Sequence, residues 1–394
     1  MLKINNPTRE EWPSVIARPT QQLEDIEVTV SEIFQDVRNN GDLAVKKYTA
    51  IFDGVELNDM YVSKKEREFA EANLSDNFKS AILKAKQNIE KFHVSQKSNF
   101  KIIETVIGVK CWQEKKPIQK IGLYIPGGTA PLFSTVLMLA IPAQIAGVKR
   151  IVCVTPPTNN LNPYLSFLLD ELGINEVYQV GGAQAIAALA YGTATIKPVN
   201  KIFGPGNAYV AAAKKEVFGD VGIEGMIAGP SEITIVCDKY SNPEWVASDI
   251  IGQAEHDNLS QCILISKNKD LIFKVKDEIN KQLKDLPRAK IARNSIKNNA
   301  ILIHISSDNK IIDVVNKIAP EHLELNVKNY KKIALKIKNS GSICLGKYAV
   351  MAMTDYNIGS NHVLPTNSSA RYSSGISVNE FYKRISYINL SKKG

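Results

Sequence analysis

The 394-residue chain has little of what marks several common protein classes. It holds no Cys-X-X-Cys pair, and its five cysteines, Cys111, Cys153, Cys237, Cys262 and Cys344, are odd in number. Four of them sit inside apolar runs such as IVCVT and ITIVC, so they read as buried, reduced and inert, and a thiolate zinc site is disfavoured. No apolar run reaches the roughly 18 residues a membrane helix needs. The longest, LFSTVLMLAIPAQIAGV, is cut by Pro142 and carries Ser134, Thr135 and Gln144, which sets the membrane aside. The opening MLKINNPTREEWPSVIARP alternates acidic and basic side chains around Pro7, Pro13 and Pro19. It has neither the apolar core nor the cleavage site of a signal peptide, so a cytoplasmic protein is expected. Net charge is +9, but the basic residues are dispersed in pairs such as Lys64-Lys65 and Lys331-Lys332. Without a basic stripe interleaved with aromatics, nucleic-acid binding has no support, while the charge favours anionic small molecules.

What is present is an ordinary globular composition, 44% hydrophobic and 23% charged, in a chain long enough for two or three domains. From Val28 to about Lys91 apolar residues such as Ile33, Val37, Ala44 and Val45 recur at helical spacing, broken by NNGD at 39 to 42. Beyond about Lys101 short β-rich runs alternate with helix-length segments. The runs are IGLYI (121 to 125), RIVCVT (150 to 155), EVYQV (176 to 180), KIF (201 to 203) and EITIVCD (232 to 238). A second series comprises QCILIS (261 to 266), AILIHI (300 to 305), LELN (323 to 326) and SICL (342 to 345), with KDLPRAKIARNSIKNN (284 to 299) read as a loop. The expected fold is α/β, with two Rossmann-like parallel-sheet units, each an incomplete doubly wound sheet. An N-terminal helical region spans 1–110, the first α/β unit 111–238, the second 239–370, and a short C-terminal extension 371–394.

In open α/β sheets ligands sit beyond the carboxyl ends of strands. Three loops there are glycine-rich: YIPGGTAPLFS (124 to 134), VGGAQAIAAL (180 to 189) and FGPGNAYVAAAKKEV (203 to 217). Each leads from a strand into a helix, where backbone N–H groups suit phosphate. None is a GxGxxG or GxxxxGK[ST] sequence, so the standard fingerprints are absent. One such loop is ordinary turn chemistry; three on successive strands point to a nucleotide-like ligand.

Five histidines are present. His93 and His304 have no polar cluster in sequence and read as structural. The stretch IIGQAEHDNLSQCILIS places Gln253 and His256 three apart, on one face of a helix, beside Glu255 and Asp257. APEHLEL puts Glu321 next to His322, and TDYNIGSNHVLPT puts Asp355 and His362 around a glycine-bearing loop. Taken alone each is a surface turn. Together they supply imidazoles, carboxylates and an amide, the donor set of a borderline divalent metal such as zinc, with Glu321 and His322 left as general-base candidates.

The blocks LYIPGGTAPLFSTVLMLAIPAQIAGV, VGGAQAIAALAYGT, KIFGPGNAYV, GPSE, QAEHD, APEHLEL and SNHVLPT, in that order, resemble the successive signatures of the histidinol dehydrogenases. The resemblance runs from about residue 20 to the C-terminus. It implies a zinc-dependent, four-electron oxidation of L-histidinol to L-histidine through the aldehyde, with two NAD+ consumed in turn, in a cytoplasmic homodimer. Carried over, Gln253, His256 and Asp355 match zinc ligands, and Glu321 and His322 the acid–base pair. Ser231, Gln253, His256, Glu321, Asp355 and His362 match substrate contacts, while Tyr124, Gln184 and Asn207 match positions that hold NAD. The resemblance also implies a further C-terminal segment carrying a fourth zinc ligand, a histidine, to the partner subunit. No histidine follows His362 here, so an incomplete, truncated site is expected. The alternatives are a related zinc-dependent amino-alcohol dehydrogenase and a catalytically impaired or non-catalytic homologue.

Overall fold

The computed structural model describes residues 1–19, 24–127, 134–158, 161–224, 229–284 and 286–394. The chain divides into two units. One comprises Glu24–Glu224, Asn357–Val363 and Ile376–Gly394; the other comprises Met1–Leu23, Gly225–Tyr356 and Leu364–Gly375. They are called the 24–224 unit and the 225–356 unit.

In the 24–224 unit a parallel sheet runs in the spatial order Glu176–Gln179, Arg150–Thr155, Lys120–Tyr124, Lys201–Phe203, Gly222–Ile223. The chain builds outward from Lys120–Tyr124 in one direction and then returns to its other side, which creates a topological switch beside Tyr124. The strands are near-continuous apolar runs, as expected where both faces are covered. The helix Ser134–Ala146 is buried around nearly its whole circumference. Residues 131–133, expected to open it, and most of the GGTAPLF loop lie outside the described residues.

The expected helical region is present as Glu24–Asn40, Asp42–Asp53, Lys64–Glu71 and Asp76–Val94. Gly41, at φ +52, makes the break read from NNGD. Val30, Ile33, Phe34 and Val37 form the inward stripe of Glu24–Asn40, which packs on the helices Gly182–Tyr191 and Ala208–Glu216. The tail is a strand: Tyr382–Leu390 pairs antiparallel with Val109–Pro117, which also pairs with Ile103–Val106.

The 225–356 unit holds a six-stranded parallel sheet in the order Leu2–Asn5, Ile301–His304, Gln261–Ser266, Glu232–Cys237, His322–Asn326, Ser342–Leu345. Leaving aside the edge strand Leu2–Asn5, the order repeats that of the other sheet. Three sequence expectations are corrected here. Leu2–Asn5 is a strand bonded to Ile301–His304, so the first residues do not belong to the helical region. Glu232–Cys237, expected to end the unit 111–238, is central to this second sheet. An apolar buried strand carries no label for its partner, so only pairing decides its sheet. The connector read as a loop contains the helix Ala289–Asn299, which buries Ala292, Ser295 and Ile296 on one stripe. Its basic and polar majority masked that narrow stripe.

All five cysteines are free thiols. Burial pushes Cys153, Cys237, Cys262 and Cys344 up to about 12, so they stay protonated. Among the described residues no helix is long and apolar enough to cross a membrane.

Candidate active site

In the 225–356 unit the ionisable residues gather where strands begin. Ser231 immediately precedes Glu232–Cys237, Glu321 immediately precedes His322–Asn326, and His322 opens that strand. The two strands are hydrogen-bonded neighbours, so their leading residues lie side by side. Glu321 is buried, and its Oε2 accepts the Glu232 N–H at 2.9 Å. Its Oε1 lies 3.8 Å from Nε2 of His322. The other ring nitrogen of His322, Nδ1, meets Ser342 Oγ at 3.1 Å, which orients the imidazole. Burial raises the Glu321 pKa well above the ordinary carboxylate range, with Glu232 and Asp355 adding repulsion against the N–H bond that favours the anion.

Gln253 lies in the last turn of the helix Pro243–Ala254, and His256 follows the C-cap Glu255, its N–H directed to the Gln253 carbonyl at 3.3 Å. The helix expected to carry both residues ends at Ala254, so His256 stands in a turn beyond it and is exposed where Gln253 is buried. Gln253 is buried, and its Oε1 has no hydrogen-bond partner among the described residues. The His256 ring is solvent-accessible yet closely surrounded, and that partial burial lowers its pKa. Asp257 has a turn-forming role: its carboxylate accepts the Leu259 N–H at 2.8 Å. Asp355 was expected in a loop; it lies instead on the short helix Met351–Tyr356, which packs against Pro243–Ala254. Burial raises the Asp355 pKa from 3.8 to about 7. Among the described residues no three His, Cys, Asp or Glu side chains form a metal cluster, so an ion held here would depend on the Gln253 amide as well.

The 24–224 unit gathers Tyr124, Gln184 and Asn207 after strands rather than before them. Tyr124 ends its strand at the switch, and its hydroxyl accepts the Gly182 N–H at 3.2 Å. Burial raises that phenol to about 12. Gln184 is fully buried, and neither end of its amide has a hydrogen-bond partner among the described residues. Asn207 caps the helix Ala208–Glu216 by accepting the Val210 N–H at 3.1 Å. Gly204, at φ +117, runs so close to Tyr124 that a Cβ would lie 2.0 Å from the Tyr124 carbonyl oxygen. His362 belongs to this unit, with Nε2 3.4 Å from Thr135 Oγ1. The structure therefore brings Glu321, His322, Ser231, Gln253, His256 and Asp355 into one unit and His362 into the other.

His93 and His304 both make hydrogen bonds to neighbouring side chains. His93 is not isolated: it meets Gln96 Oε1 at 2.9 Å and the Asn361 amide at 3.2 Å. His304 meets Asn5 Oδ1 at 2.8 Å.

Several supporting groups escaped the sequence reading. Arg18 grips Glu232 through two contacts of 2.6 and 3.0 Å behind Glu321. The buried Lys214–Glu224 pair holds both polar groups of the Gly204 backbone, the N–H on Glu224 at 3.1 Å and the carbonyl on Lys214. Asp249 and Glu324 form a buried carboxyl pair, and Glu324 Oε1 accepts the Met351 N–H at 2.7 Å. Asp249 had a usable signal, since it precedes Gln253 by four residues on the same helix face. The others are long-range pairs with no local pattern.

The histidinol dehydrogenase family model matches residues 16–394. A histidinol dehydrogenase of Pelagibacter ubique is 63% identical over 93% of this chain and 86% of its own length. One from Bacteroides thetaiotaomicron is 44% identical over 100% of this chain and 92% of its own. The crystal structure of histidinol dehydrogenase from Elizabethkingia anophelis superposes with a TM-score of 0.96 at 45% identity, covering 100% of this chain and 91% of that one. The ordered motifs, the paired parallel sheets and these likenesses agree, and the chain belongs to the histidinol dehydrogenase family of oxidoreductases.

Proposed function

We propose that the chain oxidises L-histidinol to L-histidine through histidinal, in two successive two-electron steps that use NAD+, at a zinc-bearing site. The observation that carries this reading is the buried Glu321–His322 pair in a chain of this family. His322, held at Nδ1 by Ser342, takes the alcohol proton at Nε2 as the carbon–hydrogen bond breaks. Glu321, its carboxyl shifted upward by burial, is a stronger base than a solvated carboxylate and removes a proton from the water that hydrates the aldehyde. His322 returns its first proton to the carbonyl oxygen as the water adds, and so is free to take a hydrate proton when the second carbon–hydrogen bond breaks and the acid forms.

Gln253, His256 and Asp355 fit a zinc ion, because the unpartnered Gln253 Oε1 and the buried Asp355 carboxyl both gain from a nearby cation. Tyr124, Gln184 and Asn207 fit NAD+, because a fully buried amide with neither end bonded beside two helix N-termini suits a polar, anionic ligand. When bound, zinc would orient the substrate's imidazole and amine, and NAD+ would accept hydride. Ser231 and His362 are the remaining substrate contacts in this reading, which also takes the enzyme as a cytoplasmic homodimer.

The test is stoichiometry with metal content. Purified chain should form two NADH per histidinol consumed and carry zinc. Gln253→Leu should weaken zinc binding about 10- to 100-fold without lowering the Tm of the metal-free protein, since that amide oxygen has no partner to lose. Preference for other amino alcohols, or full turnover after zinc removal, would overturn the reading.

A further inference from the structure

Within the 24–224 unit one carboxylate near the Tyr124, Gln184 and Asn207 loops has no part in the chemistry above. Asp53 is the last residue of the helix Asp42–Asp53. The start of that helix is fixed by Asp42, whose Oδ2 accepts the Thr195 N–H at 3.1 Å and its hydroxyl at 2.7 Å. Thr195 follows the C-terminal end of the helix Gly182–Tyr191, and the two helices pack together. The 12-residue helix, about 18 Å long, therefore runs back along its neighbour and delivers Asp53 toward the Gly182–Gln184 end. Two further links agree with that placement. Asp53 acts electrostatically on Tyr124, and the ring of Phe52 lies 6.5 Å from that of Tyr209, two residues after Asn207.

Folding alone does not favour this arrangement. A carboxylate at a helix C-terminus faces the negative end of the dipole. Asp53 Oδ2 is buried with no hydrogen-bond partner among the described residues, and burial raises its pKa. The fully buried Gln184 nearby is also unpartnered at both amide ends. An acceptor beside two helix N-termini, in a loop cluster suited to phosphates, calls for a ligand that is anionic in one part and a hydroxyl donor in another.

We propose that Asp53 receives the vicinal hydroxyls of a ribose of the bound dinucleotide. The inference rests on the NAD reading of Tyr124, Gln184 and Asn207 and adds a residue to it. A carboxylate takes two hydroxyl donors at once and rejects a phosphate in the same place.

The experiment is calorimetric titration of the full chain and of Asp53→Asn with NAD+, NADP+ and inorganic pyrophosphate, together with Tm. Asp53→Asn should weaken NAD+ about tenfold, the loss expected for one charge-assisted hydrogen bond. Pyrophosphate, which has no ribose, should bind both proteins equally, and the Tm should not fall. A smaller loss for NADP+ than for NAD+ assigns the adenosine ribose; equal losses assign the nicotinamide ribose. Unchanged NAD+ affinity in Asp53→Asn overturns the inference while leaving the NAD reading intact. An equal loss for pyrophosphate shows a distorted loop and also overturns it. Failure of the unaltered chain to bind NAD+ overturns both readings.

Discussion

Tyr124, Gln184 and Asn207 stand at or just after the carboxyl ends of strands in the 24–224 unit, whereas Ser231, Glu321 and His322 stand at the amino ends of strands in the 225–356 unit. The two sheets share one strand order, yet they offer opposite edges to their candidate chemistry. Helix polarity gives the difference a physical sense. At the carboxyl edge helices begin, so the N–H groups at the starts of Gly182–Tyr191 and Ala208–Glu216 favour an anion. At the amino edge helices end, and Gln253 lies in the last turn of Pro243–Ala254, where carbonyls and the negative dipole end favour a cation or a proton. One topology used at both edges thus supplies both kinds of electrostatic environment.

The largest effect is expected from the amino edge. Glu321→Gln should cut kcat for oxidation of added aldehyde by about 10²- to 10⁴-fold, as removal of a general base does, and should affect the alcohol step less. His322→Gln should lower both half-reactions, since His322 takes a proton in each. Half-reactions measured separately would show it, and an equal fall in both for Glu321→Gln would break the division of labour.

The carboxyl edge depends on a buried ion pair beneath Gly204. Lys214→Met leaves Glu224 buried without its cation and frees the Gly204 carbonyl, so a loss of about 3–5 kcal/mol is expected in urea denaturation. Lys214→Met combined with Glu224→Leu should recover most of that loss, because no uncompensated charge remains. A double variant as unstable as the single one would assign the cost to the loop rather than to the charge.

The smallest effect lies within the 225–356 unit and concerns pH. Burial raises Asp249 from 3.8 to about 6 and pushes Glu324 upward as well. The folded carboxyls then hold protons that the unfolded chain releases. Their stabilising contribution is fully present below the unfolded pKa and is lost as pH rises through the folded value. Asp249→Asn should therefore flatten the stability profile between about pH 4 and 6 and gain on the order of 1–3 kcal/mol over the parent above it, at about 1.4 kcal/mol per unit. Parallel thermal-denaturation curves for parent and variant would count against a shared buried proton.

Much of the fold was legible because its signals are local. RIVCVT, KIF, QCILIS and SICL are strands over the residues read from sequence, since a short apolar run between turns has few other uses in an α/β chain. The helix Ala289–Asn299 was missed because three buried side chains do not stand out among eleven mostly polar residues. The site was legible as motifs, Glu321 with His322 and Gln253 with His256, because each pair is adjacent or one helical turn apart. Their supports were not. Arg18 reaches Glu232 across 214 residues, and Ser342 reaches His322 across 20. No periodicity records such pairs.

The sequence by itself determined the element types, the order of the motif blocks and the family to which the chain belongs, because propensity, turn chemistry and side-chain identity are properties of neighbouring residues. Only the tertiary structure decided that Glu232–Cys237 joins the second sheet and that Glu321 and His322 occupy an amino edge. It also decided which buried polar atoms, Gln184, Gln253 Oε1 and Asp53 Oδ2, lack hydrogen-bond partners among the described residues. Strand partnership, edge and burial arise when distant segments meet and exclude water, and burial is what pushes an ordinary carboxyl such as Asp355 up to about 7.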